Sequence, residues 1–305
     1  MADKAKGQAA AQSMLIVAMA VWGLNVAAVK ALTAFFDAST LAALRMVVAF
    51  LALSALVIWK RCGLPSLTLR EAGAIVVCAV LMVFLNQLLF AEGLARSTAT
   101  NGALIMALSP LVSALVAAAA FRETLTLARA LGVILGFVGV AAVVLSHPGS
   151  GLSDAGAGDL MLVAAVVSFA AGGAIVQQLS GRMHPLTISW AIYLVGAVML
   201  TLHASVDAPN LEVDALFPGW WPWAFILYSG VLATAASNLV WNGAIARIGV
   251  ARTAVFLYWV PVFGVAFAAL LLGERLTAWH LFGFVAVMGG TFLGTRPAKS
   301  TATSS

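Results

Sequence analysis

The sequence predicts an all-α integral membrane protein with ten transmembrane helices, built as two inverted five-helix repeats with both termini in the cytoplasm. Three observations lead to this prediction. The chain is too apolar for a soluble protein, its apolar segments alternate with connections of unequal basic charge, and its second half repeats features of its first half in one register.

Composition alone places the chain in a bilayer. Of its 305 residues, 63% are apolar and 9% are charged, and the mean hydropathy is +1.06. Soluble domains carry about 25% charged residues, so this chain lacks the polar side chains to cover its surface. A spanning helix needs about 20 apolar residues, and ten of them use nearly the whole chain. The net charge of +5 is dispersed rather than gathered on one face, so nucleic-acid binding is not expected.

Charged and turn residues divide the chain into ten apolar segments. The segments cover residues 13–36, 38–59, 71–94, 99–121, 127–146, 158–179, 185–204, 220–246, 250–272 and 277–295. The first is longer than the apolar core of a signal peptide, about 7–15 residues, so it is predicted to be a retained helix. The predicted domains are a cytoplasmic tail (1–12), a first repeat (13–146), an extracytoplasmic connection (147–157), a second repeat (158–295) and a second cytoplasmic tail (296–305).

The basic residues fall on alternate connections, which predicts the orientation of the chain. One side would hold Lys4, Lys6, Lys60, Arg61, Arg70, Arg122, Arg129, Arg182, Arg247, Arg252, Arg296 and Lys299. The other side would hold Lys30, Arg96 and Arg275, while Arg45 lies inside the second helix. Cytoplasmic connections carry the excess of Lys and Arg, so both termini are predicted to be cytoplasmic. The charges in and beside the two longer outward connections, Asp159 among them, are acidic.

An internal repeat is visible at a shift of 151 residues. In this register Ala95-Arg96 falls on Ala246-Arg247, Pro110 on Pro261, Glu123 on Glu274, Leu125-Thr126 on Leu276-Thr277, Gly132 on Gly283 and Gly139 on Gly290. The repeat unit holds five helices, an odd number, so the second copy must enter the membrane from the opposite side. Inverted repeats of this kind are a recurring architecture of secondary transporters, with the substrate site near the midplane between the halves.

A series of residues, taken in chain order, makes this sequence resemble the EamA-type ten-helix branch of the drug/metabolite transporter superfamily. They are Trp22-Gly23 followed by Lys30, Arg45, Pro110, the turns 121–123 and 272–275, and the glycines at 132, 136, 139, 283, 289 and 290. Within that branch the chain is similar to YddG-type exporters of aromatic amino acids. The resemblance implies a central cavity lined by helices 1, 3, 4, 6, 8 and 9, with helices 5 and 10 at the periphery.

Polar and aromatic side chains inside the apolar spans are the candidate substrate ligands, because such groups are costly in lipid and usually face a cavity. The candidates are Trp22, Asn25, Asn86, Gln87, Asn101, Met106, Asn238, Trp241, Asn242 and Tyr258. In the repeat register Asn86 falls on Ser237 and Gln87 on Asn238, at equivalent depth in the two halves. The alternative is that the amides only join helices by hydrogen bonds, each contributing about 0.6 kcal/mol, and that Trp22 and Tyr258 are core residues.

The charged residues bear on substrate and coupling. No Asp, Glu or Lys lies at the midplane, and Arg45 is expected to have a structural role, so the sequence predicts a cavity without cationic groups. Such a cavity favours neutral or zwitterionic substrates and uncoupled transport, although Glu92 near the end of helix 3 leaves proton coupling open. Glu123 and Glu274 lie at loop turns, where they are expected to pair locally or to cap the next helix.

Two prolines suggest how the helices move. Pro110 and Pro261 lie at matched depth in helices 4 and 9, and proline removes an intrahelical hydrogen bond and can kink a helix. Both are predicted to be gating residues.

These observations predict a transporter of the bacterial inner membrane that moves small neutral or zwitterionic metabolites, above all aromatic and other neutral amino acids, out of the cell by alternating access. The alternative is a facilitator or exporter of another metabolite or drug, with or without proton coupling. An enzyme would need a nucleophile with a base, paired carboxylates or a metal set at bilayer depth, and the four histidines are scattered near helix ends. No cofactor or metal is expected, and the expected partners are the substrate and the lipid bilayer. A monomer is compatible with the sequence.

Overall fold

The computed structural model describes residues 2–61, 67–120, 127–145, 154–207, 216–217, 219–248, 253 and 255–295. Within these ranges the chain forms helices joined by short turns, without a strand. In chain order the helices are α1 (Ala2–Leu32), α2 (Ala38–Trp59), α3 (Leu69–Arg96), α4 (Ala99–Ala120), α5 (Leu127–Leu145), α6 (Asp154–Leu179), α7 (Pro185–Asp207), α8 (220–248), α9 (Trp259–Leu272) and α10 (Ala278–Thr295).

Seven helices in the described ranges are long and apolar enough to cross a membrane, and α9 and α10 supply shorter apolar stretches. Large apolar side chains such as Ile58, Leu69 and Leu270 are exposed on the outside of the bundle. Trp220 is 83% exposed at the first turn of α8, where an aromatic ring suits the membrane–water interface. The exposed apolar surface is the face that lipid would cover.

Side-chain caps begin several helices where the sequence changes from turn to apolar residues. The Asp37 carboxylate accepts the Thr40 N–H at the start of α2, and Thr68 with Glu71 forms a capping box at the start of α3. Thr98 caps α4 by accepting the Asn101 N–H.

Three of the predicted helices differ most from the structure in their bounds. The first helix begins at Ala2 rather than 13 and ends at Leu32 rather than 36, because residues 33–36 form a turn. The sixth begins at Asp154, so Asp159 lies inside α6 and not in a connection. The ninth is α-helical only from Trp259, after a 3₁₀ turn at Val255–Tyr258. The predicted tail 296–305 and most of the connection 147–157 lie outside the described residues.

The helices of the two halves pack against each other in a regular pattern. Helix α2 packs on α7, and α5 packs on α10. Helix α1 packs on α9, while α6 packs on α3 and α4. The α5–α10 pair approaches closely through glycines, since a Cβ placed on Gly290 would lie 2.6 Å from the Gly136 nitrogen. The remaining helices surround a central space. Helices α5 and α10 lie outside this space, at the periphery that the resemblance implies.

Candidate functional site

A central cavity lies where α1, α2, α3, α4, α6 and α8 converge. It encloses about 660 Å³, including the part that is open to the surroundings. Its polar lining consists of Asn25, Arg45, Asn86, Gln87, Ser109, Thr234 and Asn238, and its apolar lining includes Trp22, Phe90, Met106 and Phe169. Since both halves contribute side chains, the cavity lies at the interface between the two predicted repeats.

Two aromatic rings, those of Trp22 and Phe169, line one wall of the cavity, and the Trp241 ring packs behind them. The Trp22 ring lies 5.9 Å from that of Phe169 and 5.5 Å from that of Trp241, and the last two are 5.9 Å apart. The indole Nε1 of Trp22 donates to the Ala233 carbonyl oxygen at 2.7 Å, which joins α1 to α8. Helices α1, α6 and α8 thus hold a rigid aromatic surface, suited to an apolar or aromatic group of a ligand.

A buried polar chain runs from α2 through α8 to α1. The Arg45 guanidinium donates through Nε to Ser229 Oγ, and Ser229 Oγ donates to Asn25 Oδ1. Arginine has only donors, so its bond to Ser229 directs the serine hydroxyl proton towards Asn25. The chain holds Arg45 and Asn25 in place at the cavity wall.

A second polar chain orients the amides of α3. Asn86 Nδ2 donates to the Ala165 carbonyl oxygen at 2.8 Å, so its Oδ1 must point the other way. That oxygen accepts Gln87 Nε2 at 3.0 Å. A carbonyl oxygen can only accept a hydrogen bond, so the Ala165 carbonyl fixes the orientation of the Asn86 amide. The Asn86 Oδ1 atom in turn fixes the orientation of the Gln87 amide. The Gln87 Oε1 atom is then left as an acceptor, and it is buried without a partner.

The amides of both halves follow π-helical segments. Asn86 and Gln87 come directly after Val80–Leu85, and Ser237 and Asn238 come directly after Tyr228–Ala236. The ends of these segments match at the same 151-residue shift that relates the two halves in the sequence. Serine hydroxyls bind a carbonyl in each segment, Ser168 that of Leu81 and Ser237 that of Leu232, both at 2.8 Å. π-helical segments are rare and frequently mark functional sites, and here one comes directly before the cavity-lining amides of each half.

The structure brings six of the predicted ligands together at the cavity. They are Trp22, Asn25, Asn86, Gln87, Met106 and Asn238. Trp241 stacks behind them in the aromatic wall. Binding by each of these residues stays a prediction, since the structure shows their position and not a ligand.

Two predicted ligands lie elsewhere, and a third has no described side chain. Asn101 is fully buried and donates to the Asp159 carboxylate, at 3.2 and 3.3 Å from its two oxygens. Asn242 donates to Ser189 Oγ at 2.9 Å. Both amides join neighbouring helices by hydrogen bonds, which is the alternative to substrate binding that the sequence leaves open. The Tyr258 side chain lies outside the described part of the chain.

The two predicted gating prolines each follow a departure from α-helical geometry. In α4, residues 107–108 form a turn and the helix resumes at Ser109, one residue before Pro110. Directly before α9, the 3₁₀ turn Val255–Tyr258 ends three residues before Pro261. The prolines that match in the repeat register therefore lie close to the start of a regular helical segment.

Arg45 is the functional candidate that sequence reasoning missed. The prediction of a cavity without cationic groups is wrong, because Arg45 lines it. The side chain is 1% exposed, so it does not extend to the membrane surface. The sequence shows how deep Arg45 lies along α2, but it does not show towards which side of the helix the Arg45 side chain points.

The acidic residues outside the cavity hold the ends of helices. The Asp159 carboxylate is fully buried and binds Ser97 and Asn101 at the α3–α4 corner. Glu92 pairs with Arg96 at 3.1 Å. Glu274 does not cap the following helix α10, as the sequence suggested, but accepts the Ala99 and Thr100 N–H groups of α4 at 2.9 and 2.8 Å. Glu123 lies outside the described residues.

Comparison with known proteins points to a transporter family. The profile of the EamA-like transporter family matches residues 10–145 and again residues 156–296. The Bacillus subtilis protein YetK, named an uncharacterized transporter, is 24% identical over 290 residues, covering 94% of this chain and 87% of YetK. A probable amino-acid metabolite efflux pump of Escherichia coli is 25% identical over 291 residues, covering 92% of this chain and 93% of the pump.

A crystal structure supports the fold. It superposes with a TM-score of 0.70 at 17% identity, covering 94% of this chain and 98% of the other. At these identities the relatives named for amino-acid efflux are distant, so the similarity to YddG-type exporters is not confirmed.

Proposed function

This chain belongs to the EamA-like transporter family, and on that premise we propose that it moves small neutral or zwitterionic metabolites, above all aromatic and other neutral amino acids, out of the cell. Transport proceeds by alternating access through the central cavity between the two halves. The observation that supports this proposal is the cavity itself, which combines an aromatic wall with amides from both halves. Amides recognise uncharged and zwitterionic polar groups, and the rings accommodate apolar side chains.

The proposal includes a topology. Ten spanning helices, two inverted repeats, cytoplasmic termini and a bacterial inner membrane location are inferred together from the charge distribution and the repeat. The double match of the family profile, one match in each half, supports the duplication. So do the π segments at equivalent positions and the pairing of α2 with α7 and α5 with α10.

Reconstituted uptake tests the function directly. Purified protein in liposomes should take up labelled phenylalanine, tryptophan, methionine or threonine in a saturable manner without a pH gradient. Asn238→Ala should raise the KM at least several-fold, because Asn238 Oδ1 is a buried acceptor at the cavity without a protein partner. Gln178→Ala is the matched control, since that amide lies on the same bundle but outside the cavity.

The outcomes separate the alternatives. Uptake that requires a pH gradient would keep the cavity as the site and replace facilitated transport by proton coupling. Absence of uptake for every amino acid would contradict the proposed substrate class and favour another metabolite or a drug.

A further inference from the structure

Arg45 is a buried charge that no carboxylate in the described part of the chain pairs with. Its side chain is 1% exposed, and Nε donates to Ser229 Oγ while Nη1 has no hydrogen-bond partner. Among the described residues, the ion pairs join Glu92 to Arg96 and Glu71 to Arg182, and neither involves Arg45. An unpaired buried charge is strongly unfavourable, and intramembrane ionisable groups mark substrate pathways more often than packing sites.

Two of the buried acceptors without a partner belong to residues that line the same cavity as Arg45. Gln87 Oε1 and Asn238 Oδ1 are buried without partners, and both residues line the cavity with Arg45. The Gln87 acceptor is directed by the chain from the Ala165 carbonyl through Asn86. Asn238 is 5% exposed. The cavity therefore has a cationic donor and two amide oxygens that the protein itself leaves unsatisfied.

These groups are complementary to a zwitterion. A carboxylate accepts from a guanidinium in a charge-assisted hydrogen bond, and an ammonium group has three donors for amide oxygens. We propose that Arg45 is the residue that binds the substrate carboxylate, through Nη1, and that Gln87 and Asn238 accept hydrogen bonds from the substrate ammonium. This inference rests on the proposed transport function and deepens it, because it makes the carboxylate the required feature of the substrate.

Ser229 has a positioning role in this arrangement. Its hydroxyl accepts from Nε and donates to Asn25, so the plane of the guanidinium is held at the cavity wall. A lysine at position 45 would keep the charge but has no second nitrogen to bind Ser229 and a ligand with the same geometry. Arg45→Lys should therefore lose carboxylate selectivity although it keeps the positive charge.

Three matched compounds test the anchor. Phenylalanine carries both charged groups, phenylpropionate only the carboxylate, and phenethylamine only the ammonium. Binding is measured as the ligand-induced rise in melting temperature of the purified protein, and uptake of labelled phenylalanine is measured in liposomes. We expect the wild type to bind phenylalanine at least about tenfold more tightly than phenethylamine, in line with a hydrogen bond to a charged group.

The variants then assign the preference to Arg45. Arg45→Gln should lose at least about tenfold in affinity for phenylalanine and phenylpropionate while its affinity for phenethylamine changes little. Arg45→Lys and Ser229→Ala should reduce the phenylalanine-to-phenethylamine affinity ratio in the same direction, and they decide the question if Arg45→Gln does not fold. Gln178→Ala should leave the ratio unchanged.

Failure of the anchor and failure of the function are distinguishable. A wild type that transports phenylalanine but binds phenethylamine equally well would overturn the anchor and keep the function. Arg45-dependent binding of phenylpropionate without phenylalanine uptake would keep the anchor and contradict amino-acid transport. Binding of none of the three compounds would overturn the anchor.

Discussion

Single residues decide how closely the helices of this bundle approach, and Gly290 is the clearest case. A Cβ at this position would lie 2.6 Å from the Gly136 nitrogen and 2.7 Å from the Gly132 oxygen. Both atoms belong to the α5 backbone, so they cannot move aside as a flexible side chain would. The repeat register that matches Gly139 with Gly290 thus marks a contact between the two halves.

Replacing Gly290 by alanine should therefore destabilise the protein. The extra methyl group forces α5 and α10 apart, and overpacking of this kind costs about 1–3 kcal/mol. The change is measured as a lower melting temperature in thermal unfolding of the purified protein. Gly243→Ala is the matched control, because nothing lies within 4 Å of a Cβ there. Equal melting temperatures for the two variants would show that the close approach is not required.

At the scale of whole helices, the turn within α4 and the 3₁₀ turn directly before α9 suggest where the bundle bends. Residues 107–108 form a turn in which Ala107 and Leu108 donate to the carbonyls three residues earlier. Pro110 follows and has no N–H, so the bond that would continue α4 across the turn cannot form. Gating at this point and at Pro261 remains a prediction of the sequence, now attached to a specific turn before each proline.

Pro110→Ala should slow transport several-fold and leave substrate affinity nearly unchanged. The alanine N–H can bind the carbonyl four residues earlier, which would strengthen the continuous form of α4 and oppose bending. Uptake rates in liposomes, compared with ligand-induced thermal shifts, separate the two effects. Pro185→Ala is the control, since Pro185 begins α7, where the backbone N–H of any residue would lack an intrahelical partner anyway. Unchanged uptake by Pro110→Ala would rule out a gating role.

At the scale of the whole molecule, Glu274 joins the two halves. Its carboxylate follows α9 and accepts two backbone N–H groups at the start of α4, together with the Thr100 hydroxyl. A negative charge at a helix N-terminus is stabilised by the unsatisfied N–H groups and the helix dipole. This contact therefore links the end of α9 to the start of α4 in the conformation described.

Glu274→Gln should weaken that link between α9 and α4. Glutamine keeps the shape but loses the charge, which is worth about 0.3–2 kcal/mol at a helix N-terminus. Spin labels at positions 96 and 275, both exposed near this link, should give longer and broader distances in the variant. Asp37→Asn is the control, because Asp37 caps α2 within one half. Identical distance distributions would show that the contact does not set the conformation.

The sequence alone was sufficient for the membrane location, the family and most helix positions. These follow from local properties, namely length, apolar composition, turn residues and the order of short motifs. Six of the ten predicted ligands, Trp22 and Asn238 among them, also reached the cavity, because depth in the membrane and the repeat register limit where a polar side chain can lie.

Only the tertiary structure decided which way each side chain points. A spanning helix is apolar towards lipid and towards its neighbours alike, so periodicity does not reveal its inner face. For that reason Asn242 and Asn101 were grouped with the cavity although they bind Ser189 and Asp159, and Arg45 was left out although it lines the cavity. The link from Glu274 to α4 spans 174 or 175 residues of sequence, and such a pairing depends on the packing of the two halves rather than on any local pattern.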